Sequence, residues 1–306
     1  MRWFDSIRVH PLPPNMTERP LHPNELELLA HLLTKVEVTS ENLPVIRLEI
    51  AEIREHWGLK NEALEAIRRV RKGTEKIGAH EDVVDLFWEE YLIGIHLVMK
   101  ARDKEGLWSL PLKAAGIANG YTLMRSSAQD AQKYIEKHNV ESKRARSGRY
   151  LGGVAVMEKR YKKAAEYFSH SAALFGEMKN WSDRVNRLEL LGFLAEGLIL
   201  SGKAGEGLEI AKQTFKGYDE GDGVKLRQED YYTWAVWKSG CVIKAWHAVF
   251  ARGVILDKET QEEFLVMLDE ADRITEIPEG VETWGDRSFT GRKNEIAAIR
   301  RQLSPN

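Results

Sequence analysis

Residues 150–175 read YLGGVAVMEKRYKKAAEYFSHSAALF. The stretch is two helical runs either side of a polar break at Lys159–Arg160. Ala164, Phe168 and Ala172 follow one another at i, i+4 and i+8, which places them on one face of a helix. Small residues sit at Gly152 before the break and Ala164 after it, with an aromatic, Tyr161, at the turn. The same separation recurs between Ala51 and Ala63 in EIAEIREHWGLKNEALEAIRRV, and between Ala195 and Gly207 in LGFLAEGLILSGKAGEGLEIAKQTF. A small residue on each of two neighbouring helices lets their backbones approach closely, so the spacing predicts a series of antiparallel helix pairs.

These residues resemble the tetratricopeptide repeat, in which a small residue on the first helix admits the second and the Ala and Phe of the second fill the groove between them. The equivalent small residues fall at Ala51, Gly94, Gly152, Ala195 and Gly240. That spacing is wider than the family's period of about 34 residues, so the repeats resemble long-helix, degenerate variants. They also lack the family's aromatic at the start and proline at the end. The resemblance covers roughly residues 42 to 275 and implies an all-α fold, a right-handed array of antiparallel helix pairs forming a tetratricopeptide-like α-solenoid. It also implies that Arg146 and Arg149 face a concave groove, with Glu52, Glu55 and His56 facing it from an earlier repeat and Glu189 and Glu196 from a later one.

Outward from this core the chain divides into an extended arm over 1–24, a helical-repeat domain over 25–275, and a loop with a C-terminal capping helix over 276–306. The arm holds Pro11, Pro13, Pro14, Pro20 and Pro23, a density that forbids a helix. Trp3, Phe4, Ile7 and Val9 before it fit packing on the main body better than a short strand. Leu26, Leu28, Leu29, Leu32 and Leu33 read as one apolar helix face. Val45, Ile46, Leu48, Ile50, Ile53 and Trp57 read as the next. Asn42 and Ser109 are expected helix caps with Pro44 and Pro111 in the first turns, and Ser126-x-x-Gln129 has the form of a capping box opening a helix. Breaks are expected at Gly58, Gly106, Lys159–Arg160, Gly176 to Trp181, Gly202–Gly207 and Gly217–Gly223. Tyr231 to Phe250 is apolar nearly all round and should be interior. Asp257 should cap the helix after it, and Lys293 to Leu303 should form the last helix.

The 306 residues are 43% hydrophobic and 30% charged, with 45 Lys plus Arg against 47 Asp plus Glu and a net charge of −2. This is a globular composition, and it excludes a wholesale basic nucleic-acid binder while leaving room for a local basic patch. No apolar run reaches the ~18 residues of a membrane helix, and the opening MRWFDSIRVHPLPP has no hydrophobic signal core. A single cysteine, Cys241, excludes an internal disulfide and fits a reducing, cytoplasmic setting. No membrane partner is expected.

Signatures of catalysis are absent: there is no HExxH, paired CxxC, GxSxG, Walker loop or GxGxxG. The nine histidines share no i, i+3 or i+4 spacing, so no metal site and no cofactor is expected. His96 and His247 read as core residues. Tyr218 to Glu229, YDEGDGVKLRQE, has Tyr218 where a calcium loop needs its first carboxylate and Lys225 in place of the apolar eighth residue, so it reads as an inter-helix turn. Cys241 lies mid-helix among apolar residues and reads as core. The adjacent carboxylates Glu89–Glu90 and Glu262–Glu263 project about 100° apart on a helix and read as solvated faces.

Charge is the remaining signal. Lys133 to Lys163 is strongly basic inside a slightly acidic chain. With Arg146 and Arg149 at its centre and acidic residues on its flanks, a groove here would hold an acidic peptide or a terminal carboxylate through arginine forks. The run KRARSGR also fits a solvated helix start. The expected function is therefore a non-enzymatic scaffold that binds a protein or peptide. The alternatives are a nucleic-acid or phosphate binder using residues 133–163, a ligand-sensing regulatory domain, and an enzyme with an unfamiliar site at Tyr231–Phe250.

Overall fold

The computed structural model describes residues 23–55, 60–105, 117–276 and 289–303. Residues 1–22 of the proline-rich arm, the Gly58 and Gly106 breaks, Trp57 and the Ser109–Pro111 cap lie outside them, while Pro23 and Asn24, expected at the end of the arm, open the first helix, where a proline's missing N–H costs nothing. Every regular element among the described residues is a helix and none is a strand, so the fold is all-α, as periodicity predicts. No helix among them is long and apolar enough to cross a membrane. They fall into two compact units, divided between Met157 and Glu158. The division lies inside the 150–175 stretch, and each half of it packs within its own unit.

The first unit holds α1 (Pro23–Leu33), α2 (Leu43–Glu55), α3 (Lys60–Lys76), α4 (His80–Glu105), α5 (Ile117–His138), a 3-10 turn at Glu141–Lys143, and α6 (Arg144–Met157). Its core gathers Leu26, Ala30 and Leu33 of α1, Ile46, Ile50 and Ile53 of α2, and Ala63, Ala66, Ile67 and Val70 of α3. Each larger aliphatic side chain buried there contributes roughly 1.5–3 kcal/mol. The five leucines of α1 do not share one face: Leu28 is 59% and Leu32 53% exposed. At 100° per residue they lie on the far side of the helix from Leu26 and Leu33. Val45 is likewise exposed.

Two local expectations give way in this unit. Asn42 does not cap α2 with its side chain. Its Oδ1 accepts from Thr39 N and its Nδ2 donates to Glu37 O, each at 2.9 Å, so the amide ties down the preceding turn instead. The box at Ser126–Gln129 opens nothing, because α5 already runs through it and Ser126 Oγ donates back to Leu123 O. A capping pattern cannot start a helix where the residues before it are already helical.

Helices α4 and α5 cross at glycine on glycine. A Cβ on Gly94 would lie 2.7 Å from Gly120 O, and one on Gly120 would lie 2.5 Å from Gly94 O. Further along, Tyr150 of α6 stacks on Trp88 at 4.9 Å and meets Tyr91 edge-on at 4.8 Å. The Tyr91 hydroxyl occupies the space a side chain at Gly153 would need.

The second unit holds α7 (Tyr161–Gly176), α8 (Trp181–Arg184), α9 (Asn186–Leu200), α10 (Ala204–Gly217), α11 (Gly221–Glu229), α12 (Tyr231–Arg252), α13 (Lys258–Ile274) and α14 (Thr290–Leu303). Lys159, at φ 58°, marks the polar break before α7. Ala164, Phe168 and Ala172 are buried as a face, and Phe168 stacks on Phe193 of α9 at 5.3 Å. Helices α9 and α10 pair through the predicted small residues: a Cβ on Gly207 would lie 2.7 Å from Ala195 O.

The apolar run at Tyr231–Phe250 is the interior helix of this unit, α12, with every residue from Tyr232 to Trp246 buried. Asp230 and Asp257 cap α12 and α13, accepting from Thr233 N and Thr260 N. Gly253 ends α12 at φ 60°, a conformation that suits glycine. Most of the YDEGDGVKLRQE segment is a helix, α11, and not a turn. Asp222 in its first turn holds Arg184 of α8 in a fork with both contacts at 3.0 Å, and Leu226 is buried. The last helix begins three residues earlier than expected, with Phe289 just before it packed on Tyr232.

Candidate functional site

The residues expected to line a groove are placed on three helices. Arg146 and Arg149 stand on α6 of the first unit, Glu52 and Glu55 on α2 of the same unit, and Glu189 and Glu196 on α9 of the second. The side chain of Glu55, and His56, lie outside the described residues. Arg149 is only 3% exposed, with its guanidinium 5.3 Å from the Tyr150 ring, and Glu189 is 5% exposed. Both are interior side chains that a partner lying on the surface does not reach. Arg146, Glu52 and Glu196 are half-buried. Beside Glu52, burial and then the Glu52 charge push the Glu49 carboxyl up.

Much of the basic stretch is neutralised by carboxylates. Lys133 pairs with Asp130, Arg144 with Glu141, Arg160 with Glu158 and Lys163 with Glu166. Lys143 reaches Asp85 of α4 at 2.7 Å. Helix α4 is in fact an ionic ladder. Asp82, Asp85 and Glu89 repeat at i, i+3 and i+7 on one face, and Arg47 and Arg54 repeat at i and i+7 on α2 opposite. Arg47 forks to Asp82 at 2.5 Å and Asp85 at 2.7 Å, and Arg54 meets Glu89 at 2.5 Å. Burial lowers the Arg47 pKa, but the charges of Asp85 and Asp82 outweigh it and leave it raised. Glu90, 4% exposed, takes Arg68 at 3.2 Å and Arg71, and the Arg71 guanidinium lies 3.9 Å over Phe87. Glu89, half-buried, and Glu90, buried, are thus ion-paired groups and not a solvated face. Glu262 and Glu263 are exposed, as expected. His96 is buried, with Lys60 Nζ 2.9 Å from its Nδ1.

The second unit buries charge on its central helix. Lys238, fully enclosed, reaches out to Asp219 at 2.5 Å and to Glu270, with its ammonium 4.6 Å over the Phe215 ring. On another face of α12, Lys244 sits 4.4 Å over Phe193 and donates to Gly240 O at 3.3 Å. Arg292 of α14 arrives at the same place, bonded to Glu295 at 3.0 Å and to Val236 O at 3.1 Å. A Cβ on Gly240 would meet Arg292 Nη2 at 2.9 Å and Lys244 Nζ at 3.1 Å, so the glycine is what lets two cations converge there.

Glu189 and Glu196, which the resemblance assigns to a groove, belong to this cluster. Burial pushes the Glu196 carboxyl up to about 7 against the opposing charge of Lys244. Burial, then the charge of Arg292, pulls the Lys244 ammonium down to about 8 against the carboxylates of Glu196 and Glu189. The Cys241 thiol, pushed by burial up to about 12, is no nucleophile there, and burial lowers the His247 pKa.

Lys238, Lys244 and Arg292 were not legible as site residues, because a basic residue in an apolar run carries no mark of its distant partner. The same holds for His80 and His138, far apart in the chain, whose rings stack at 4.4 Å beside Tyr134. Among the described residues no cluster of three or more His, Cys, Asp or Glu could hold a metal ion. No protein family matches the chain, and no curated protein matches it.

Proposed function

We propose that the chain is a non-enzymatic helical-repeat scaffold, a right-handed tetratricopeptide-like array that binds a protein or peptide. The observation that carries the reading is the contact of Gly207 with Ala195, where a Cβ would lie 2.7 Å from the facing carbonyl oxygen. It is the close approach that the repeat's small residues exist to permit, and Gly94 on Gly120 is a second crossing of the same kind. Arrays of helices paired in this way bind their partners on a concave surface, and this reading gives that groove a protein or peptide, an acidic segment included. Arg146, Glu52 and Glu55 on the first unit, and Glu196 on the second, remain the contact residues of this reading. Arg149 and Glu189 are each interior to their own unit. A cytoplasmic setting suits the lone, buried Cys241.

The nucleic-acid alternative draws less support, because Lys133, Lys143, Arg144, Arg160 and Lys163 already face carboxylates. The test is capture from native lysate with and without nuclease, using the full chain and its Arg146→Glu variant. A protein partner that survives nuclease and is weakened in the variant supports the scaffold. Loss of all captured material on nuclease treatment overturns it.

A further inference from the structure

Helix α3 has two faces of opposite character. Ala63, Ala66, Ile67, Val70 and Thr74 are buried. On the other side Asn61, Leu64, Arg68 and Lys72 follow one another at helical spacing and, with Arg69 and with Thr34 just past the end of α1, line a groove of about 530 Å3. Glu65 is the one acid on its wall, against three bases.

The three bases are differently engaged. Arg68 is held through its Nε by Glu90 at 3.2 Å, yet its side chain remains 53% exposed. Glu90 also takes Arg71, so this interior carboxylate is occupied from the inner side. Arg69 and Lys72 are exposed, and neither makes an ion pair with any described residue. Beside them Leu64, half-buried, is the apolar side chain among the residues that line the groove. A cationic groove with a leucine on its wall complements a segment that carries carboxylates together with apolar side chains.

We propose that this groove on α3 docks an acidic, leucine-containing peptide segment of a partner protein, its carboxylates meeting Arg69, Lys72 and the outer side of Arg68. The proposal rests on the scaffold reading and gives it a site. Arg68 and Arg69 offer planar forks that suit carboxylates, and Lys72 adds a point charge one helical turn on. Leu64 supplies the apolar floor that a purely electrostatic contact lacks.

The probe is a fluorescein-labelled 12-residue peptide of four Glu-Glu-Leu units, titrated with the full chain and followed by anisotropy. The same peptide with Gln for Glu, and a 12-nucleotide single-stranded RNA, run beside it. Arg69→Ala/Lys72→Ala should weaken binding of the acidic peptide about tenfold or more, and the Gln peptide should bind the wild type as poorly. Lys133→Ala/Lys137→Ala, which removes two exposed charges elsewhere in the same unit, should leave binding unchanged. Both double variants change exposed side chains, and matching circular dichroism spectra establish that they fold. Equal binding by the Arg69/Lys72 variant, or tighter binding of the RNA through the same two residues, would overturn the groove assignment. A failure confined to this groove leaves nuclease-resistant capture intact, whereas failure of the scaffold reading abolishes that capture in the wild type as well.

Discussion

At the scale of single residues, the buried charges of α12 set the strongest expectations. Because folding raises the Glu196 carboxyl from 4.5 to about 7, the folded chain holds that proton more tightly than the unfolded one. The stability it contributes is whole below about pH 4.5 and is lost as pH rises to 7. Lys244 runs the other way. Its value falls from 10.5 to about 8, so its contribution is whole above pH 10.5 and is lost as pH falls through 8. Urea unfolding from pH 4.5 to 7 should show Glu196→Gln gaining stability relative to the wild type as pH rises; a constant difference would mean the carboxyl is not shifted. Lys238 offers a second test. Replacing it with Met removes the enclosed charge and should be neutral or mildly stabilising. Asp219→Asn/Glu270→Gln strands the ammonium and should cost about 3 kcal/mol, the lower end for such a loss, because both carboxylates are partly in water. These groups were illegible in the sequence for one reason. Glu89 and Glu90 look like a solvated face, Arg149 like a groove residue and Lys238 like an unmarked base in an apolar run until a partner on another helix is known, and residue spacing along one helix cannot supply that partner.

At the scale of the helix, the legible features were those written locally. Asp257 caps α13 as expected, Lys159–Arg160 breaks the chain before α7, and Tyr231–Phe250 is interior because a helix apolar all round has no face to give to water. Replacing Asp257 with Ala should lower the midpoint of thermal or urea unfolding, because the Thr260 N–H loses its acceptor. Local signals misled where something more distant decided the outcome. The Gly and Asp of residues 218–229 read as a turn, yet Arg184 anchors Asp222 and burial of Leu226 holds α11 in place. The five leucines of α1 read as one face, yet Leu28 and Leu32 point away from the core. Glycines within one helix separate the packing account from simple propensity. Gly207→Ala drives a Cβ into Ala195 O and should destabilise by about 1–3 kcal/mol. Gly205→Ala meets nothing within 4 Å and should stabilise by about 0.5–1 kcal/mol, as helix propensity alone dictates. Equal effects at the two positions would mean that α9 and α10 do not cross where the repeat pattern puts them.

At the scale of the whole molecule, the all-α class and the Ala195–Gly207 crossing were readable in the residues, while the division after Met157 was not. That boundary falls at the turn between α6 and α7, and the sequence marks the Lys159–Arg160 break no differently from the turns between other helix pairs. The groove residues fared unevenly. Arg149 and Glu189 are interior, Arg146 and Glu196 are half-buried, and the exposed cations of α3, Arg69 and Lys72, lie outside the dense basic stretch at 133–163, so charge density along the chain does not mark them. A partner-binding scaffold needs surface that its own fold leaves uncommitted, and α3 has it. The central claim is tested most directly by calorimetry, with the purified, nuclease-resistant partner titrated into the full-length chain. The account predicts saturable binding that weakens about tenfold or more in Arg69→Ala/Lys72→Ala or in Arg146→Glu. Absence of saturable binding to any protein purified in this way would contradict it.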